Sequence, residues 1–266
     1  MTPIVSIVNV GDSIWRLVKE RDNNITISSD IIQKEVPSDI FFQLAALCIH
    51  ASKELDYVKT YYPGISIVLR EDTIEEISLA IKYDGINSIK VLANGLIIYM
   101  DQHQFLTMID DLYNAMNNLV SRLDFDARNY DPAFLNVMLA KELPYFCGEK
   151  IVDMYLDELL VPHVPYQPGV PETVSLNECV RVNSLRGNVD IDFFNRRGSN
   201  HYKQSNSMRL NSVLDMVIKR GYPYNNEYIT IFSTYNLVVD GWHRASCLYY
   251  LYGNIRVPVK VIVLNK

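Results

Sequence analysis

Val238–Gly253 reads VVDGWHRASCLYYLYG. A short apolar run ends at Asp240-Gly241, and a helix-like repeat then continues to Gly253. The pattern predicts a strand that turns at Asp240 into a helix over 241–252, closed by Gly253. A helix leaves its first backbone N–H groups without internal partners, and that end carries partial positive charge. Gly241 lets a ligand approach the backbone, and His243 and Arg244 place two side-chain donors at the same end. Such an arrangement suits a phosphate group, held over the turn Gly241, Trp242, Arg244, Ala245 and Ser246. Asp240 is the odd member, because an acid repels an anion. It has a place there if it orients His243 or Arg244, holds Mg²⁺, or accepts a proton.

Working outward, Val257–Leu264 reads as a closing strand. Tyr228–Phe232 and Asn236–Val239 read as two more, joined through Ser233-Thr234-Tyr235. Met208–Arg220 has helical spacing, with Gly221 where a C-terminal cap belongs. Before it lies the basic stretch FFNRRGSNHYKQSNS, and Cys179–Leu185 is expected as a strand. Residues 181–266 carry 12 Lys+Arg and 5 Asp+Glu, a net +7, while residues 1–180 carry 13 and 26, a net −13. A basic final third implies an anionic ligand there, unless the two parts simply attract each other.

Proline recurs at 162, 165, 168 and 171. That density implies an extended, semi-rigid connector. The expected organisation is therefore an N-terminal mixed α/β domain over 1–160, a linker over 161–175 and a second domain over 176–266, an α+β chain overall. In the first domain, Ile4–Val10, Ile25–Ile27 and Gly64–Leu69 read as strands. Ile89–Val91 and Leu96–Met100 read as a hairpin around Asn94-Gly95. Helices are expected at Pro37–Lys53 (capped by Ser38), Asp72–Ile81, Gln104–Leu123, Pro132–Leu143 and Glu149–Leu160. No internal repeat is visible. The composition, 48% hydrophobic and 21% charged, excludes a disordered or fibrous chain. No apolar run reaches the roughly 18 residues of a membrane helix. Four scattered cysteines and no basic, apolar leader fit a cytoplasmic protein without disulfides or a zinc knuckle.

Leu210–Leu264 resembles the core of the ParB/sulfiredoxin superfamily. The resemblance rests on the helix ending at Gly221, the strand pair, the Asp240-Gly-x-His-Arg244 turn, the helix reaching Gly253, and the closing IRVPVKVIV. It leaves the first two thirds of the chain unexplained. Sulfiredoxin-like members place a reactive cysteine just before the His-Arg pair. Trp242 stands there in this chain, which argues against sulfinic-acid reduction. Partition-type members carry a Gly-Glu-Arg-Arg turn and bind CTP. The DGxHR form is most similar to the small-molecule kinases of the superfamily. The resemblance thus implies an ATP-dependent phosphotransferase acting on a small-molecule or glycan hydroxyl, with ATP and Mg²⁺ as cofactors and Asp240 as the metal-binding acid. The kinases' upstream base falls near His201, with Arg196, Arg197 and Lys203 forming the other wall. Catalytic roles are accordingly expected for Asp240, His243 and His201. The alternative is a nucleotide-responsive binding module, with nucleic acid a less favoured partner because of the acidic first part.

Other candidates have simpler readings. Asp101 and His103 lack a third metal ligand. Asp110-Asp111 suits an exposed helix face, His50 a core histidine and Cys247 a core cysteine. His163 falls in the proline stretch, and Tyr249, Tyr250 and Tyr252 are expected to pack against the sheet. No carboxylate cluster suggests a two-metal nuclease.

Overall fold

A computed structural model describes residues 4–19, 23–30, 32–120, 122, 125–163, 172–194 and 205–265. The chain divides into two compact units, Met1–Phe146 and Cys147–Lys266, with helices and largely antiparallel sheets in an α+β arrangement.

The first unit opens with the antiparallel meander β1 (Ile4–Val10), β2 (Ser13–Lys19), β3 (Asn24–Ser28) and β4 (Gln33–Pro37), followed by α1 (Ser38–Tyr61). A second meander, β5 (Ile67–Ile74), β6 (Ile77–Tyr83), β7 (Ser88–Ala93) and β8 (Leu96–Asp101), is followed by α2 (Gln102–Val120). The architecture is therefore duplicated although the sequence shows no repeat. Alternating apolar residues suffice to build a half-buried strand, whatever their identity. Helix α2 packs along β1 and α1 on β5, so each helix meets the first strand of the other meander. Phe42 on α1 and Phe105 on α2 are fully buried, each worth about 1.5–3 kcal/mol of apolar burial.

The expected helix over Asp72–Ile81 is instead the β5–β6 hairpin. Leu79, Ile81 and Tyr83 alternate inward, while Glu71, Asp72, Glu75 and Glu76 are exposed at or near its tip. A cluster of acids suits a helix start and a solvated hairpin end equally well. Pairing with β7 decided for the strand. Ser38 is the first residue of α1 and forms no cap hydrogen bond. Residues 132–145 do turn helically, through α3 (Pro132–Phe134), a π turn (Leu135–Leu139) and a 3₁₀ segment (Ala140–Tyr145).

In the second unit, β9 (Phe146–Tyr155) occupies most of the span expected as a helix over 149–160. Its neighbour β14 (Arg256–Leu264) lies more than a hundred residues later, a contact that local periodicity does not reveal. Leu156, Leu159 and Val161 belong to the second unit's core, together with Val238 and Val259. Strands β10 (Leu160–Pro162) and β11 (Thr173–Ser175) pair antiparallel, Val161 opposite Val174. The proline stretch thus joins two paired strands within the second unit, and the unit boundary precedes it. Residues 164–171 themselves lie outside the described residues.

Most of Cys179–Leu185 is helical rather than extended: α4 (Val180–Leu185) is capped by Cys179, whose Sγ accepts from Val182 N at 3.5 Å. Next come α5 (Ile191–Phe194) and α6 (Asn206–Arg220), the latter capped by Ser205 at its start and by Gly221, with φ 74°, at its end. The sheet runs β13 (Val238–Asp240), β12 (Ile229–Phe232), β14, β9. Strands β12 and β14 are parallel, Ile229 opposite Val259. A parallel pair needs a crossover, and α7 (Trp242–Tyr252) supplies it. Helices α4 and α6 pack against α7, and that packing frames the site.

Candidate functional site

Gly241 is the N-cap of α7, with φ 83° and ψ 24°. This left-handed conformation suits glycine, and here space demands it as well. A Cβ on Gly241 would come within 3.0 Å of Ile229 Cα and 3.1 Å of Arg244 Nε. No side chain caps α7, and its first intrahelical bond runs from Ala245 N to the Gly241 carbonyl oxygen at 2.9 Å. The amides of Trp242, His243 and Arg244 precede that bond and form the positive end of the helix.

Arg244 folds back over this glycine. Its guanidinium donates to Glu227, to the Tyr228 carbonyl oxygen at 3.2 Å and to Asp240 at 3.0 Å. Its side chain is only 12% exposed, against 46% for Asp240 and 49% for Glu227. In this structure Arg244 ties β13, α7, the Glu227 carboxylate and the Tyr228 backbone together, and Asp240 orients it.

His243 is mostly buried, and its Nε2 has no hydrogen-bond partner among the described residues. Burial pushes its pKa down to about 3, and Arg181, Arg209 and Arg244 push in the same direction. The ring is therefore neutral near pH 7. Arg181, on α4, is 7% exposed. Its Nε and Nη1 are buried without hydrogen-bond partners among the described residues, and its guanidinium lies 5.3 Å from the centre of the Trp242 ring. Burial lowers its pKa, and Arg209 pushes in the same direction. Two arginines and a histidine thus converge on the first turn of α7. Leaving a buried charge unpaired costs several kcal/mol, roughly 3–5 where a partner is removed.

The other side chains of the turn are satisfied or buried within the protein. The Trp242 indole N–H donates to the Val238 carbonyl oxygen. Ala245 is fully buried, and the Ser246 hydroxyl donates to the Trp242 carbonyl oxygen at 2.8 Å. Ser246 was expected to face a ligand. It faces its own helix because a serine there can satisfy itself on the carbonyl four residues back. Cys247 is buried beside Leu210, and burial pushes its thiol up to about 12. His201, Arg196, Arg197 and Lys203, the expected second wall, lie outside the described residues. Among the described residues no group of three or more His, Cys, Asp or Glu side chains is placed to hold a metal ion. Asp240 alone would hold Mg²⁺ only with phosphate oxygens as further ligands.

Sequence reading missed Arg181. Its neighbours along the chain, CVRVNS, look unremarkable, and only its burial sets it apart. A basic residue within an apolar run was the available signal.

The minor candidates take simple places. Asp101 accepts from Gln104 N at 2.8 Å, and Gln104 Oε1 accepts from Asp101 N, a reciprocal cap on α2. Asp111 accepts from Asn9, and Asp110 lies 3.7 Å from Arg128. His50 is buried, with Arg70 2.8 Å from Nε2 and Asn136 3.3 Å from Nδ1. Tyr250 and Tyr252 are exposed rather than packed, and Tyr249 is half-buried. No helix is long and apolar enough to cross a membrane among the described residues.

Comparison with protein-family models, with curated proteins and with solved structures finds no match for this chain.

Proposed function

We propose that this protein is an ATP-dependent phosphotransferase with a small-molecule or glycan hydroxyl as acceptor. The nucleotide phosphates sit on the first turn of α7. The observation that carries this reading is the uncapped helix start behind Gly241, with the buried Arg181 guanidinium beside it and no carboxylate paired to that arginine among the described residues. Anions bind at such helix starts through backbone N–H groups and the dipole. The likeness of Leu210–Leu264 to the ParB/sulfiredoxin core, and of its DGxHR turn to the kinases of that superfamily, points the same way.

In this reading the bond from the γ-phosphorus to the bridging oxygen of ATP breaks, and ADP leaves with that oxygen. A bond from phosphorus to the acceptor oxygen forms, and the acceptor proton passes to a base. The resemblance gives that role to His201, with Arg196, Arg197 and Lys203 beside the polyphosphate. The α7 amides and the neutral His243 ring face the developing charge on the phosphoryl oxygens. Asp240, together with those oxygens, would hold Mg²⁺, which supplies further charge neutralisation when bound. Arg244 fixes the turn in place.

The test is ADP release from ATP and Mg²⁺, with and without hydroxyl acceptors. Acceptor-dependent ADP supports the reading, and its absence across sugars, polyols and serine would sink it. The second reading, a nucleotide-responsive binding module, is favoured by the Arg244 ion pair, which already engages the only carboxylate in the turn. Nucleotide binding without turnover would select it, and a salt-sensitive affinity for DNA or RNA would extend it.

A further inference from the structure

Arg181 stands outside the Asp240–Arg244 motif, on α4, yet its guanidinium lies against the first turn of α7. It has no ion pair among the described residues, and two of its three nitrogens are buried without hydrogen-bond partners. Arg209, of like sign, acts on it as well. In the second unit, residues 164–171 and 195–204 lie outside the described residues, and they contain neither aspartate nor glutamate. The carboxylates nearest the turn, Asp240 and Glu227, are taken by Arg244. A guanidinium keeps its charge across the physiological range. Held dry with a like charge acting on it, it calls for an anion from outside the chain. The Trp242 ring lies close to the guanidinium carbon. Cation–ring packing of this kind still leaves the planar N–H fork free to bind oxygen atoms.

We propose that Arg181 is the principal side-chain ligand of a phosphoryl group seated on the first turn of α7, with the backbone amides of that turn and His243 Nε2 completing the cradle. The inference rests on the phosphate-site reading above and adds a residue that the motif does not contain. It divides labour between two arginines: Arg181 binds the oxyanion, and Arg244 positions the turn. The phosphoryl group comes either from a nucleotide or from a phosphorylated product.

Titration calorimetry of the full chain tests this, with sodium tripolyphosphate, ATP–Mg²⁺ and glycerol phosphate as ligands. Arg181→Met is expected to lose at least about tenfold in tripolyphosphate affinity, the scale of a charge-assisted bidentate contact. Its melting temperature without anion should stay level or rise, since a buried unpaired charge has gone. Arg244→Met should melt earlier and keep its tripolyphosphate affinity within about threefold, as expected of a residue that acts through the fold. The parent chain supplies a measurement independent of variant folding. Tripolyphosphate should raise its melting temperature above that in chloride at equal ionic strength, by binding only the folded state. Parent-like affinity in Arg181→Met, or no anion-dependent rise in the parent, would overturn the proposal. Tighter binding of ATP than of glycerol phosphate identifies a nucleotide as the source, and the reverse identifies a product. Either ranking supports the cradle when it depends on Arg181. Tripolyphosphate binding without acceptor-dependent ADP would defeat the phosphotransferase reading and leave this one standing.

Discussion

Arg244 Nη2 lies 3.0 Å from an oxygen of Asp240, so the motif's acid and its arginine close on each other across Gly241. The acid that looked misplaced beside an anion site therefore has a partner within the turn. The pair is half in water on the Asp240 side, and such pairs contribute about 0–1 kcal/mol. Its larger effect is to hold the start of α7 in one conformation.

Asp240→Ala should therefore abolish turnover while costing less than about 1 kcal/mol of stability, since Glu227 still holds Arg244. ADP release and urea unfolding check the two halves of this statement. Parent-level turnover would remove Asp240 from the chemistry.

Gly241→Ala is expected to destabilise by about 1–3 kcal/mol, because the residue must keep a positive φ and its new Cβ meets Ile229 Cα. Denaturant midpoints at constant slope measure this. A neutral result would mean that the turn relaxes easily.

His243 makes stability depend on pH in a defined direction. Its pKa is about 3 in the folded protein, against an ordinary 6.5. Between those values the unfolded chain binds a proton that the folded chain refuses. The contribution is thus fully present above pH 6.5 and is lost as pH falls from there towards about 3. Unfolding free energies at pH 7.5, 5.5 and 4.5 should decline more steeply in the parent than in His243→Asn. Equal slopes would contradict the buried, neutral ring.

Cys48 and Cys247 should resist thiol reagents at pH 8 until the chain unfolds, since burial pushes both thiols up to about 12. Time-resolved labelling followed by peptide mapping gives the order. The half-buried Cys147 should react ahead of them. Early labelling of Cys247 would mean that α7 opens readily.

Much of the second unit was legible in sequence because its signals are local. Gly221 and Gly253 end helices, Gly241 begins one, and the strands around Ile231 and Val261 are dense in β-branched residues. Acidic clusters misled at Asp72, where a hairpin end and a helix start share the same composition. Helical spacing misled at 149–155, where pairing with a strand far along the chain prevailed over local preference.

By itself, the sequence determined the mixed α and β character, the strand-to-helix turn at Asp240–Arg244 and the basic character of the final third. Each depends on residues close together in the chain. Only the tertiary structure decided which charges are neutralised. Arg244 carries the motif, yet it is spent on Asp240 and Glu227, whereas Arg181 lies 63 residues earlier in the chain, beside the same turn, and has no ion pair among the described residues. Burial and pairing arise from the packing of α4 against α7, and sequence spacing carries no measure of either.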